Sequence, residues 1–517
     1  MNKKYIILLF ITALALLSVS CDDYLSTTPD NRTELDTKQN ITKLLVTGYA
    51  ASSYVYLTEF MSDNIDDRGN NGYSSLGRLQ EQTYAWEDTQ EEGADSPKSF
   101  WASCYAAIAT ANHALEAIEN YENPEELNPQ KAEALLIRAY HHFLLVNVFC
   151  KQYNEQTSTS DLGIPYMEIP ETTVSPYYER GTVAEVYQKI QKDLEEALPL
   201  VDDNIYTVPK YHFNKKAAYA FAARFYLYIH KYDKVIECAN LVFGGNPENI
   251  LRDMTAIDRS AQYGPIAEDY VKTEHQANLM LISLNSNIAV AFGNYNSGKK
   301  YQHCKFTALE TVQSEGPWGK WNAELFYLPA LNYSAGYLCT PKLPYYFEYT
   351  DPVAKKGYVH SILPAFQSDE LLLCRAEAYI MLQDYSGATN DLAIWMSRHT
   401  TSTIKLTREL INSYYSDLAD YTPYEPTVKK QLNPAIPIVS KEQENFLHCL
   451  LHFRRIETIH EGLRWFDIKR FGIKIYRRYV NPNNDVTVTD SLEVDDPRRA
   501  LQLPYDVISA GMTPNPR

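Results

Sequence analysis

Basic residues are scarce in this chain of 517 residues, with 48 Lys and Arg against 65 Asp and Glu and a formal charge of −17 at pH 7. Phosphate recognition needs clustered cations, so this balance argues against nucleic acid as a partner. It argues equally against electrostatic attraction to an anionic membrane. Long apolar runs are also missing. After the first twenty residues no stretch is long enough to cross a bilayer. The chain has no phosphate-cradling glycine loop, no GxSxG elbow and no Cys/His nucleophile arrangement. Its eight cysteines show no CxxC or Cys/His zinc spacing. Cys104, Cys150, Cys238, Cys374 and Cys449 fall in helical apolar patterns, where a free thiol behaves as a small hydrophobe.

What is present is an ordinary globular composition, 45% hydrophobic and 22% charged, with an excess of tyrosine: 41 residues, in 13% aromatics. Tyrosine offers a flat apolar face and a hydroxyl, which suits sugar stacking, although most of these rings are expected to pack between helices. The N-terminus carries the clearest local signal. Lys3 and Lys4 precede an apolar stretch from Tyr5 to Leu17, and Ser18-Val19-Ser20 leads into Cys21. That is a secretory signal with a cysteine at the exit, the arrangement of a lipoprotein whose Cys21 is acylated. Export would also permit a disulfide among the remaining seven thiols.

Beyond a polar tether at 21–38, the dominant period is helical. Amphipathic stretches are expected at 40–57, 99–119, 129–150, 182–200, 214–230, 231–243, 367–383, 384–398 and 440–461. Thr182 with Glu185 forms a capping box, and Ser96-Pro97 and Asn128-Pro129 are helix starts. Ala223, Tyr226, Tyr232 and Val235 share their spacing with Ala376, Tyr379, Tyr385 and Ala388, the signature of repeated tetratricopeptide-like hairpins. Between 246 and 366 the helical period fails amid Gly, Pro, Asn and aromatics. This insertion, with the similar 60–97 segment, reads as long aromatic-rich loops on a mostly α scaffold.

Four segments stand out: KAEALLIRAYHHFLL, with Glu133 to Tyr140; DELLLCRAEAY, from Asp369 to Tyr379; HFRRIETIHEGLRWFDIKRFG, with Arg455, Glu457, Glu461, Gly462, Arg464, Trp465, Asp467 and Arg470; and the chain end, with Leu503-Pro504 and Asn515-Pro516. Together they resemble the SusD/RagB family. The first two are similar to two of its helices, the third to its Glu-Gly-x-Arg-Trp segment and the last to its closing segment, while Phe471 stands where the family has a second Trp. The resemblance implies a signal peptide at 1–20, a lipidated tether at 21–38 and a single SusD-like domain at 39–517. In that domain the helical scaffold covers 39–245 and 367–475, and the irregular ligand-side insertion 246–366.

The resemblance further implies a non-catalytic outer-membrane lipoprotein that captures oligosaccharide for a SusC-like TonB-dependent transporter. No cofactor and no metal are implied. Asp22-Asp23 after Cys21 fits a surface export signal. Ligand would meet an arc drawn from two regions: Arg68, Asn70, Tyr73, Tyr84 and Trp86 in the early loop, and Tyr295, Asn296, Tyr301, Trp318 and Trp321 in the insertion. Trp86 and one of Trp318 or Trp321 are expected to face one solvent-filled concavity. Two other readings stay open: a RagB-like peptide-binding protein, and a surface glycoside hydrolase, which would need two carboxylates across a cleft. Glu457, His460, Glu461 and Asp467 crowd one segment. His460-Glu461 lacks the second histidine of a zincin, so these charges are expected to pair within the scaffold. Asp63, Asp66, Asp67 and Asn70 do not fit a calcium loop and read as a turn.

Overall fold

The computed structural model describes residues 35–69, 77–173, 177–257, 262–293, 299–319, 331–334 and 337–517. Helices dominate, and their starts follow the local chemistry. Ser96 accepts the Ser99 N–H ahead of α1 (Pro97–Glu119), where Pro97 occupies the first turn. Next come α2 (Asn128–Phe149) and α3 (Val183–Ala197), the latter opened by the full Thr182–Glu185 capping box. Asn214 caps α4 (Lys215–Tyr228), and α5 (Tyr232–Phe243) stops at Gly244 in the left-handed region. After the insertion come α6 (Ser368–Met381), α7 (Tyr385–His399) and α8 (Lys441–Glu457).

α4 with α5, and α6 with α7, form antiparallel hairpins, and α5 and α8 both pack on α6. Ala223 and Val235 in one hairpin, and Ala376 and Ala388 in the other, are fully buried, so small side chains let the helices close. This is the tetratricopeptide-like arrangement expected from the spacing. A second repeat lies beneath it. Arg138 of α2 grips Asp193 of α3 through Nε and Nη2 at 2.6 and 2.7 Å, and its Nη1 reaches Asn112 of α1. Arg375 of α6 grips Asp391 of α7 through the same two nitrogens, both at 2.8 Å, and its Nη1 reaches Asn240 of α5. The same Asn–Arg–Asp clamp therefore recurs in the two halves of the helical array.

Two expectations need correction. The helix expected at 40–57 is two, Lys38–Val46 and Val55–Met61. Gly48, at the break, packs against Ile137, where a Cβ would lie 2.9 Å from that side chain. The Ala50 N–H is taken by His141 Nε2 at 3.1 Å, outside any helical ladder. The insertion at 246–366 is less irregular than expected. Strand β2 (Asn278–Asn285) pairs antiparallel with β7 (Lys356–Gln367), and β7 with β6 (Tyr346–Asp351). The run Leu279–Leu284 is mostly buried in that sheet, so its continuous hydrophobicity belongs to a strand covered on both faces. Finally, β8 (Ile475–Val480) and β9 (Val486–Leu492) form a hairpin beyond the expected end of the scaffold.

The cysteines among the described residues are all free and buried. Among the described residues no helix is long and apolar enough to cross a membrane.

Candidate functional site

The early loop and the insertion, far apart in sequence, meet as paired strands. β1 (Asp66–Asp67) lies antiparallel to β3 (Tyr301–Gln302), and on its other side Asp67 pairs with Tyr479 of β8. The order in this sheet is β3-β1-β8-β9. Next to the pairing, the Arg68 N–H donates to the Lys300 carbonyl at 2.7 Å, so the two segments are stitched at the point where the ligand arc was expected.

Alternation along β1 sends its two carboxylates to different tasks. Asp66 is buried and receives Arg478 Nε and Nη2 at 2.8 and 3.1 Å and the Thr307 hydroxyl at 2.7 Å. Asp67 is partly exposed; it accepts the Gly69 N–H at 2.7 Å and has Lys300 Nζ at 3.8 Å. Burial pushes its carboxyl above the ordinary value against the pull of the Gly69 N–H and Lys300. Gly69 has φ +73°, and a Cβ there would lie 2.8 Å from the Tyr479 ring, so the Tyr479 side chain rests on bare backbone. The rim of the sheet thus presents a carboxylate, an ammonium and a half-buried tyrosine ring.

Beneath the rim lies a buried ion network. Asp63 receives Arg464 at 2.9 and 2.8 Å and Lys430 at 2.7 Å. Glu310, from the insertion, receives Arg455 at 2.6 Å, Arg478 at 2.9 Å and Lys430 at 3.0 Å. Burial alone would raise both carboxyls. The surrounding cations outweigh it, holding Asp63 well below its usual range and bringing Glu310 to about 2. The Asp63–Asp66 turn is therefore neutralised by protein cations. In the motif segment, Asp467 bonds Arg454 and Arg470, Glu461 bonds Lys342, and Trp465 and Phe466 are buried, which is scaffold pairing.

The aromatics of the expected arc are placed differently from expectation. Trp318 is wholly buried, its ring centroid 5.0 Å from His452 and 5.3 Å from Phe453. Trp86 is 4% exposed, donates its indole N–H to the Met61 carbonyl at 2.9 Å, and sandwiches the Arg477 guanidinium with Tyr84. Tyr84 stacks on Tyr301 at 4.4 Å, and both are buried. Arg68 is 8% exposed. Trp86 and Trp318 therefore do not share a solvent-filled concavity: desolvated cations and core rings claim their faces. Asn70, Tyr73, Tyr295, Asn296, Trp321 and Cys21 lie outside the described residues.

Sequence reasoning missed two features. Arg477, Arg478 and Tyr479 come from the β8–β9 hairpin, whose signal was alternation on either side of Asn481-Pro-Asn-Asn. A second concavity, of about 270 Å³, is lined by Trp101, Tyr105, Met167, Tyr177, Tyr178 and Met512. Its helical rings were legible only as an i, i+4 pair on α1. Among the described residues, Asp369, His399 and Glu457 are close enough to ligate one cation together.

Residues 23–227 match the SusD-like family model described as starch-binding and associating with the outer membrane. No curated protein matches the chain by sequence. Among solved structures it is similar to a putative sugar binding protein from Bacteroides vulgatus, at 19% identity and TM-score 0.68, covering 94% of this chain and 99% of that one. A SusD superfamily protein from Bacteroides thetaiotaomicron aligns at 18% identity and TM-score 0.64, covering 92% and 98%. A laminarin binding SusD-like protein aligns at 15% identity and TM-score 0.56, covering 94% and 99%. The sequence likeness to the SusD-like family thus covers residues 23–227, and the fold of nearly the whole chain is the one seen in SusD superfamily structures.

Proposed function

We propose that this protein is a non-catalytic, lipid-anchored surface protein that captures oligosaccharide and delivers it to a SusC-like TonB-dependent outer-membrane transporter. The observation that carries the reading is the pairing of β1 with β3, which joins the early loop and the insertion in one rim bearing Asp67, Lys300 and Tyr479. A tyrosine face beside an acceptor and a donor matches the C–H faces and hydroxyls of a sugar ring. Asn70 and Tyr73 of the early loop, with Tyr295, Asn296 and Trp321 of the insertion, complete the proposed contact set. The family description and the sugar- and laminarin-binding neighbours support a glycan over a peptide.

Calorimetry with starch-derived and laminarin-derived oligosaccharides tests the reading. Tyr479→Ala and Trp321→Ala should each weaken binding by about 1–3 kcal/mol, the scale of an aromatic anchor. If Tyr178→Ala abolishes binding and both Tyr479→Ala and Trp321→Ala keep it, the site is the α1 concavity and the rim assignment fails. In outer-membrane fractions the wild-type protein should co-purify with a large β-barrel transporter, and Cys21→Ala should leave the membrane. Binding to no glycan of the panel, together with recovery as a lone soluble protein, would end the proposal.

A further inference from the structure

The second hairpin and α8 enclose a group of side chains that the glycan reading does not use. Asp369 stands in the first turn of α6, His399 is the last residue of α7, and Glu457 the last of α8. Their side chains are 0%, 1% and 4% exposed. His399 Nε2 lies 3.0 Å from Glu457 Oε2 and 4.0 Å from Asp369 Oδ1. One donor atom from each of the three falls within 4.8 Å of the others.

The surroundings fix these donors in place. His399 Nδ1 lies 2.8 Å from the Trp395 carbonyl, which must accept an N–H from it. That assigns the proton to Nδ1 and turns Nε2 toward the two carboxylates, the usual support of a metal-bound histidine. The Trp395 indole stacks on the imidazole at 4.2 Å, 7° from parallel, and donates its N–H to Glu457 Oε2 at 2.8 Å. One residue thus orients two of the donors. Asp369 is held by the Arg252 backbone N–H at 3.1 and 3.3 Å.

Charge points the same way. Glu461 shares this interior, and Lys342 answers it at 2.9 Å while donating also to the Glu457 carbonyl. Arg252 sits with its guanidinium over Tyr270. Three carboxylates therefore face two fixed cations, and two of those carboxylates converge on a single imidazole nitrogen. Enclosed anions of this kind are stable when paired or bound to a metal.

We propose that Asp369, His399 and Glu457 form a site for one divalent transition-metal cation of the zinc class, which ties the α6–α7 hairpin to α8. An imidazole with two carboxylates suits zinc or its neighbours better than calcium or magnesium, which take all-oxygen shells. Ligands about 2.0–2.2 Å from zinc lie roughly 3.3 Å apart in a tetrahedron; the His399–Glu457 separation of 3.0 Å is already close to that, and Asp369, at 4.0 Å from His399, has to draw in. Three protein donors leave the fourth position to a water or to a second carboxylate oxygen. The enclosure means that the cation enters as the chain folds. The helix-spacing test that removes His460-Glu461 could not reveal this set, because each ligand comes from a different helix.

The test uses the untagged chain, expressed in medium supplemented with zinc and dialysed against metal-free buffer. Mass-spectrometric metal analysis should find about one equivalent of transition metal per chain, and less than about a tenth in His399→Gln. Asp369→Asn, which keeps the shape of its side chain, serves as the second variant should His399→Gln fail to fold. Wild-type protein without metal, with nitrogen NMR showing both His399 ring nitrogens protonated, would overturn the site in favour of a bare imidazolium–Glu457 pair. Undiminished metal in both variants would place the cation elsewhere and overturn it equally.

Discussion

The Arg375–Asp391 clamp and the Asp67–Lys300 pair set two kinds of ion pair in one molecule. In the clamp both partners are buried, with side chains 8% and 1% exposed, and two parallel N–H bonds of 2.8 Å fix the geometry. At the rim the ammonium is 3.8 Å from the carboxylate, and the side chains are 28% and 19% exposed. The clamp occurs again as Arg138–Asp193, each time with an asparagine from the preceding helix, so it serves the repeat. The rim pair has no such counterpart in the helical array and stands where two distant loops meet. One arrangement joins helix to helix, and the other leaves its polar groups partly exposed to solvent. Burial pushes the Asp391 carboxyl above its ordinary value in spite of Arg375, the direction expected where desolvation opposes the pairing.

The largest effect expected follows from that difference. Arg375→Met leaves Asp391 buried without its cation and should destabilise the fold by about 3–5 kcal/mol in urea titration. The double variant Arg375→Met/Asp391→Leu should recover most of that loss. If it is as unstable as the single variant, the clamp contributes net stability and the contrast with the rim narrows.

Acid should separate the two regions next. Burial brings His141 and His448 down from 6.5 to about 4 and, with the Arg455 charge as a second cause, His452 to about 3. A depressed folded pKa gives stability that is complete above the unfolded value and lost as pH falls through the folded one. For His141 the loss between pH 6.5 and 4 is about 3 kcal/mol. The Glu310 network adds a further loss between 4.5 and about 2. Urea midpoints should therefore fall steadily below pH 6.5. A flat profile to pH 4 would show that these imidazoles titrate in the folded protein as they do in the unfolded chain.

Much of the scaffold was legible because its determinants are local. Thr182 and Glu185 lie three residues apart, Ser96 precedes its own helix, and each copy of the alanine–tyrosine pattern is confined to one hairpin, at 223–235 and at 376–388. The resemblance drew a ligand arc from the early loop and the insertion, but the strand pairing that joins them, Asp66–Asp67 with Tyr301–Gln302, had no local signal. Which rings face solvent was not legible, because that depends on partners far along the chain. Trp86 is covered by Arg477, and Trp318 by Trp395 and Phe453, none of them near in sequence. The strand Leu279–Leu284 escaped for the same reason: its partner β7 begins only at Lys356. Asp369, His399 and Glu457 converge from three helices, beyond the reach of any spacing rule.

The smallest effect expected sharpens the comparison best. Lys300→Met removes a pair that is exposed and loosely set, so it should change stability by less than about 1 kcal/mol. What remains of the Lys300–Asp67 attraction should vanish in 1 M salt, where the screening length is about 3 Å, shorter than the separation of the two groups. The Arg375–Asp391 pair, out of reach of mobile ions, should respond to the same salt far less. Measured as the difference in urea midpoint between wild type and variant at low and high salt, the rim coupling should collapse to zero. Trp318→Ala supplies the opposite limit. Its ring is enclosed, so its cost of about 3–5 kcal/mol should be indifferent to salt. A Lys300→Met effect that is large and independent of salt would mean that the rim is built as the clamps are, closed and structural. It would then be a poor place for a sugar, and the α1 concavity would become the better one.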